Sequence, residues 1–164
     1  MDNQHPQKQF MEAAIAEATE ARDNGDYAIG AIIVHDGQVI SRATNRSKVD
    51  QDATQHAEIV AIRQASQMLG SRYLEECILY TTHEPCPMCA AAVVWAKMRG
   101  VVSGARMEDM TDYRIKNGND EWKWRTISIP AREVLAKGEP KVMLIEEFMR
   151  DECRQLFHGA ESNS

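Results

Sequence analysis

The segment from Cys77 to Ala105 constrains the fold more than any other part of the sequence. Cys77–Thr82 reads as a buried strand, Cys86–Met98 as a helix led by Pro87, and Gly100–Ala105 as a second buried strand. Strands separated by a helix do not pair as a hairpin. They lie side by side and parallel, joined by a right-handed crossover. The rest of the chain has to be arranged around that parallel pair.

Upstream, Phe10, Met11, Ala14, Ile15 and Ala18 recur at helical spacing and predict a helix over Phe10–Ala21, broken by Asp23-Asn24-Gly25. Ala28–Val34 and Gln38–Ala43 are strand runs joined through His35-Asp36-Gly37, a strong hairpin signal. A polar, irregular stretch, Thr44–Gln55, leads into a helix over His56–Leu69 that Gly70 stops. Downstream, Met107–Arg125 is polar and carries Trp122 and Trp124 without convincing periodicity, which predicts a long functional or oligomeric loop, an insertion or lid over 107–125. A short helix over Arg132–Lys137, a fifth strand over Lys141–Glu146 and a closing helix over Glu147–His158 complete the chain. The order predicts an α/β fold, a three-layer α/β/α sandwich around a mixed five-stranded sheet. The 164 residues suit one domain over 1–164.

Charge and cysteine usage narrow the class. A formal charge of −6 and a pI near 5.4 disfavour bulk binding to nucleic-acid phosphates, although Arg42, Arg46, Arg106 and Arg114 leave room for a local basic patch. Met1–Gln9 lacks a signal-peptide core, and no stretch approaches the roughly 20 apolar residues of a membrane span, so a cytoplasmic address is expected. The four cysteines then point to metal or redox use rather than to a disulfide framework.

Two segments carry chemistry when taken together. His56-Ala57-Glu58 stands where a polar loop becomes a helix, and Pro85-Cys86-Pro87-Met88-Cys89 where a strand becomes one. On a helix, Cys86 and Cys89 at i and i+3 reach one metal from the same face, and a helix N-terminus favours thiolates. Zinc accepts one imidazole and two sulfurs; a catalytic site keeps a fourth position for water, whose pKa falls to about 7. Cys77 or Cys153 as a fourth ligand would make the site structural instead, and a Cys-x-x-Cys pair also suits a redox module. Glu58, two residues after the histidine, is placed to move protons during attack on an amino-bearing ring carbon; otherwise it is a helix-dipole partner.

His56-Ala57-Glu58 with Pro85-Cys86-Pro87-Met88-Cys89 resembles the cytidine deaminase superfamily of zinc-dependent nucleobase and nucleoside deaminases, whose signature and glutamate shuttle are known. The resemblance runs from about Gly25 to Ala105 and implies His56, Cys86 and Cys89 as zinc ligands and Glu58 as the catalytic residue. Tyr80–Cys89 with Val94-Trp95-Ala96 is similar to the guanine deaminase branch, which implies Asn45 and Trp95 in the base pocket; Ala57 and His83 are further candidates for its wall. Leu69-Gly70-Ser71, Gly104-Ala105-Arg106 and Glu152-Cys153 are similar to bacterial tRNA adenosine deaminases. Met107 stands where that branch usually carries Asp, and the acidic Phe-Asp-Asp of guanine deaminases has no counterpart in Met107–Asn119. The expected reaction is hydrolytic deamination of a small-molecule nucleobase or nucleoside, guanine-type first and tRNA adenosine second, in a zinc-loaded homodimer. A zinc-stabilised binding or redox module is the rival from another class.

Overall fold

A computed structural model describes residues 4–117 and 127–158. Its central sheet has five strands: β1 (Gly30–His35), β2 (Gln38–Thr44), β3 (Cys77–His83), β4 (Gly100–Ala105) and β5 (Met143–Ile145). They are ordered β2-β1-β3-β4-β5. β1 pairs antiparallel with β2 and β3, whereas β3–β4 and β4–β5 are parallel, so the sheet is mixed, as the crossover argument requires. Asp36 and Gly37 both take left-handed φ values, 50° and 73°, the geometry of a two-residue hairpin turn that follows the strand twist.

Six helices cover the sheet among the described residues: α1 (Lys8–Asp23), α2 (Ala57–Leu69), α3 (Pro87–Trp95), α4 (Met107–Asn117), α5 (Ala131–Lys137) and α6 (Arg150–His158). Strand alternation decides which face each residue serves. Ala31, Ile33, Leu79 and Val101 pack against α2, α3 and α5 through Ala57, Ala61, Ala65, Ala90, Val93 and Leu135. Ile32, Val34, Ile78, Tyr80 and Val102 pack against α1 and α6 through Phe10, Met11, Ala14 and Phe157. Each face of the sheet is thus sealed, giving the expected three layers. Gly30 lets α1 lie directly on β1, since a β-carbon there would overlap the α1 backbone at Ala14 and Ala18.

The segment after β4 departs from expectation. Met107–Asn117, expected to be a loop, is helical, with Met110 and Tyr113 packed on the α1/α6 side. Its start is fixed from outside: Met107 N–H donates to Glu84 Oε1 (3.1 Å), and Asp109 accepts from Arg106 N–H and from the Arg150 guanidinium on α6. Burial pushes the Asp109 carboxyl up, but Arg150 and the Arg106 amide outweigh it and hold it below the usual carboxylate range. Trp122, Trp124 and the rest of the expected insertion from residue 118 on lie outside the described residues. β5 is shorter than the expected Lys141–Glu146, and α6 starts late because Glu147 and Met149 adopt left-handed φ, 63° and 55°. No helix among the described residues is long and apolar enough to cross a membrane.

Candidate metal centre

The residues that begin α2 and α3 meet. His56 is the N-cap of α2 and Cys86 the N-cap of α3, both with extended backbones (φ −70°, ψ 149° and φ −66°, ψ 170°). Cys86 therefore precedes the helix instead of forming its first turn as the spacing alone suggests. Pro87 at the first helical position is the cause, because a proline disfavours helical geometry in the residue before it. An N-cap side chain ordinarily turns back to a free backbone N–H, yet neither His56 nor Cys86 makes such a bond. Their carbonyls accept the first helical bonds, from Val60 and Ala90, and their side chains turn to each other.

Cys86 Sγ lies 3.5 Å and Cys89 Sγ 3.6 Å from His56 Nδ1. Zinc bound to nitrogen at about 2.0 Å and to sulfur at about 2.3 Å in a tetrahedron separates those atoms by about 3.5 Å, so both sulfurs already stand at its spacing from the imidazole nitrogen. All three ligand atoms lie within 4.8 Å of one another, and no fourth His, Cys, Asp or Glu joins this cluster among the described residues. Cys77 is buried in β3 among Leu79, Leu74 and Val101. Cys153 packs from α6 onto Gly104, where a β-carbon would overlap its sulfur. The fourth-ligand alternatives for Cys77 and Cys153 are not realised.

Electrostatics separate these sulfurs in the same way. The hydrogen bond from Cys89 pulls Cys86 down to about 4 against the opposing effect of burial, with His56 adding to the pull, while Cys89 is raised because it keeps the shared proton next to Glu58. Only a cation placed between them lets both sulfurs ionise. Burial, with a smaller push from the neighbouring carboxylates Glu76 and Glu152 respectively, drives Cys77 up to about 11 and Cys153 up to about 12, leaving both as packed thiols.

Glu58 belongs to the first turn of α2 and is 4% exposed. Its Oε2 lies 3.5 Å from Cys89 Sγ, and its Oε1 accepts a hydrogen bond from Thr81 Oγ1 at 2.8 Å. A carboxyl group is thus held beside the cluster without being counted among its ligands. Ala57, fully buried, fills the turn between His56 and Glu58.

The remaining candidates are distributed unevenly. Arg46 N–H donates to the Gln55 carbonyl, bringing the end of β2 beside the start of α2, and so Asn45 beside His56 in the fold. Asn45 is buried, and its amide nitrogen donates to Asp26 Oδ1 (2.8 Å) and Ser47 Oγ (3.0 Å). Both amide hydrogens are thereby used, and its carbonyl oxygen remains the group it can offer. His83 ends β3, pairs Nδ1 with the Glu84 carbonyl, packs its ring on Phe157, and keeps Nε2 buried without a partner among the described residues. Trp95 is at the other end of α3 from Cys86 and is 80% exposed. It lines a cavity of about 440 Å³ with Val94, Ile129 and Val134, a cavity that shares no residue with the His56 cluster.

Three residues that bear on this site were not anticipated. Thr81 holds Glu58. Asp26 fixes Asn45 and also accepts from the backbone of Tyr27, Lys48 and Val49, shaping the loop in front of α2. Glu84 accepts from the first N–H of α4 and of α5, tying both to the strand end next to Cys86. The signal for Thr81 was a hydroxyl within an otherwise apolar buried strand; Asp26 and Glu84 had none beyond their charge.

Residues 4–105 match the family described as the cytidine and deoxycytidylate deaminase zinc-binding region. The chain is 38% identical over 125 residues to a guanine deaminase of Bacillus subtilis, an alignment covering 76% of this chain and 78% of that one. It is 45% identical over 96 residues to a tRNA-specific adenosine deaminase of the same organism, covering 58% of this chain and 60% of the relative, less than two thirds of its length. A solved tRNA:A34 deaminase superposes with a TM-score of 0.75 at 33% identity, over 92% of this chain and 99% of the other.

Proposed function

The chain belongs to the zinc-binding cytidine and deoxycytidylate deaminase family, and on that premise we propose that it hydrolyses the exocyclic amino group of guanine, releasing ammonia, with Glu58 carrying the protons. The observation that supports this most is the buried carboxyl of Glu58 beside a three-residue zinc site that has no fourth protein ligand among the described residues. His56, Cys86 and Cys89 would hold the zinc, which would supply the Lewis acidity that brings the pKa of water at such a site to about 7. Glu58 takes a proton from the attacking water and delivers it to the ring nitrogen beside the amino-bearing carbon. It then passes the second proton to the departing amine, so one water and one amino-substituted ring give an oxo ring and ammonia.

Asn45 is proposed to read the base. With its amide nitrogen committed to Asp26 and Ser47, it offers a carbonyl, which suits an N–H donor on a purine edge. Ala57 and His83 are proposed for the pocket wall. Trp95 is proposed as a further apolar wall whose exposed ring, with Ile127 and Ile129, is covered by a second copy of the chain in a homodimer. A cytoplasmic location accords with four unpaired cysteines.

Guanine is preferred because the guanine deaminase alignment is the longer of the two, covering 78% of that enzyme, and because the chain is acidic. Adenosine in tRNA is the second reading, favoured by the higher identity, 45%, over a shorter alignment of 96 residues. The redox-module alternative leaves the buried Glu58 unexplained and has no counterpart among these relatives. Ammonia release from zinc-replete protein, measured on guanine, adenine, cytosine and their nucleosides beside an anticodon stem-loop, tests the assignment. Turnover of guanine is expected; conversion of the stem-loop with silence on every small molecule overturns the guanine reading.

A further inference from the structure

We infer that Thr81 is a positioning residue that keeps the Glu58 carboxyl aimed at the reacting atoms while it gains and loses its proton, an inference that rests on the deaminase reading of this site. Glu58 has two neighbours here, Thr81 Oγ1 at 2.8 Å from Oε1 and Cys89 Sγ at 3.5 Å from Oε2. A zinc-ligating sulfur carries no hydrogen to give, so in the loaded enzyme the Cys89 contact ceases to be a hydrogen bond. Among the described residues, Thr81 is then the one hydrogen-bond donor to this carboxyl.

The hydroxyl is well mounted for that task. Thr81 is fully buried on β3, in register with Ala31 of β1 and Ser103 of β4, so its backbone is fixed from both sides. Its Oγ1 also lies 3.0 Å from the His83 carbonyl oxygen. One hydroxyl hydrogen serves one acceptor at a time. With Glu58 as a carboxylate, the hydrogen points to Oε1. Once Glu58 has taken the proton from water on Oε2, the oxygen beside the cluster, Oε1 still accepts from Thr81. The Thr81 hydrogen bond is thus kept in both states with no heavy atom displaced, and the proton passes from Oε2 to substrate without the carboxyl having swung away.

The test compares Thr81→Val, which keeps the shape and removes the hydroxyl, with Thr81→Ser, which restores it. Three readouts are taken on each purified protein: zinc content, the kcat and KM of the substrate that the wild type turns over, and the infrared carboxylate stretch of Glu58 isolated by difference against Glu58→Gln. The expected result is one zinc per chain throughout. Thr81→Val should lose about tenfold in kcat with KM unchanged and with a shifted Glu58 stretch, and Thr81→Ser should recover both. Wild-type kcat in Thr81→Val, an unshifted stretch, or an equal loss in Thr81→Ser overturns the positioning role while leaving the deaminase reading intact. A zinc-replete wild type inactive on the whole panel overturns both. If Thr81→Val does not fold, the same kcat and infrared comparison is made with Thr81→Ala, which relieves strain at the buried site.

Discussion

The two faces of the sheet are sealed by helices of opposite character. On one, α2 and α3 meet the strands through alanines: Ala57, Ala61 and Ala65 from α2, Ala90 and Ala96 from α3 and its end. On the other, Phe10 and Met11 of α1 and Phe157 of α6 pack around Tyr80, while the middle of α1 lies close on β1 through Ala14. Small side chains let helix backbones come close to the strands, which carries the two N-caps, His56 and Cys86, in beside the end of β3. Large ones fill volume and bury apolar area. The alanine-lined face therefore positions chemistry, and the aromatic-lined face supplies stability. Of the four cysteines, Cys86 and Cys89 stand where α3 begins, Cys153 is a packed thiol on the aromatic side, and Cys77 is a packed thiol of β3 on the alanine-lined side.

The hardest test of this division is Cys89→Ala. Zinc content by atomic absorption should fall from one per chain to none and turnover should vanish, while far-ultraviolet circular dichroism keeps its native shape; a variant that retains zinc would break the comparison outright. Next comes Glu58→Gln, for which kcat should drop about 10³-fold with zinc content and melting temperature preserved. Loss of zinc in that variant would make Glu58 a ligand and remove its proton-carrying role.

A substitution on the opposite face should show the reverse pattern. Ile32 is fully buried against the α1 layer, and Ile32→Ala should cost about 3 kcal/mol in urea unfolding while kcat per folded molecule stays at the wild-type value. A matching fall in kcat would mean that the two faces are coupled. The smallest effect concerns reactivity. In chelated protein the Cys86 pKa is depressed to about 4, so its thiolate survives as pH falls and is lost only near that value. Alkylation of Cys86 by iodoacetamide should therefore hold its rate from pH 8 to pH 6, where an ordinary thiol loses about tenfold per unit. Cys77 and Cys153, raised to about 11 and about 12, should react only after unfolding.

Much of this was legible before any coordinates. Periodicity located every strand and five of the helices, and Asp36-Gly37 announced the hairpin. What escaped was held from a distance. Met107–Asn117 has a thin apolar stripe, Met110 and Tyr113, and its helix begins on Glu84 and is braced by Arg150, residues 23 and 43 positions away from Met107 in the chain. Trp95 follows the cysteine motif in the sequence, and its place at the far end of the nine-residue α3, on a cavity separate from the His56 cluster in this chain, is set by the fold. Asn45 was placed by resemblance, and only its bonds to Asp26 and Ser47 say which atom it can present.

The sequence by itself determined the kinds of atoms available and their local poses. Pro87 dictates an extended Cys86 ahead of a helix, His56 and Glu58 are bound to the same helix start, and the strand–helix–strand order demands a parallel pair. Tertiary packing alone decided that Cys86, 30 positions after His56, comes within 3.5 Å of it, that Thr81 faces Glu58, and that Cys77 and Cys153 stay out of the site. The reason is one of range. Backbone sterics and capping act over a few residues, whereas approaches between distant segments are set by which side chains the helices bury and how closely those allow the layers to pack.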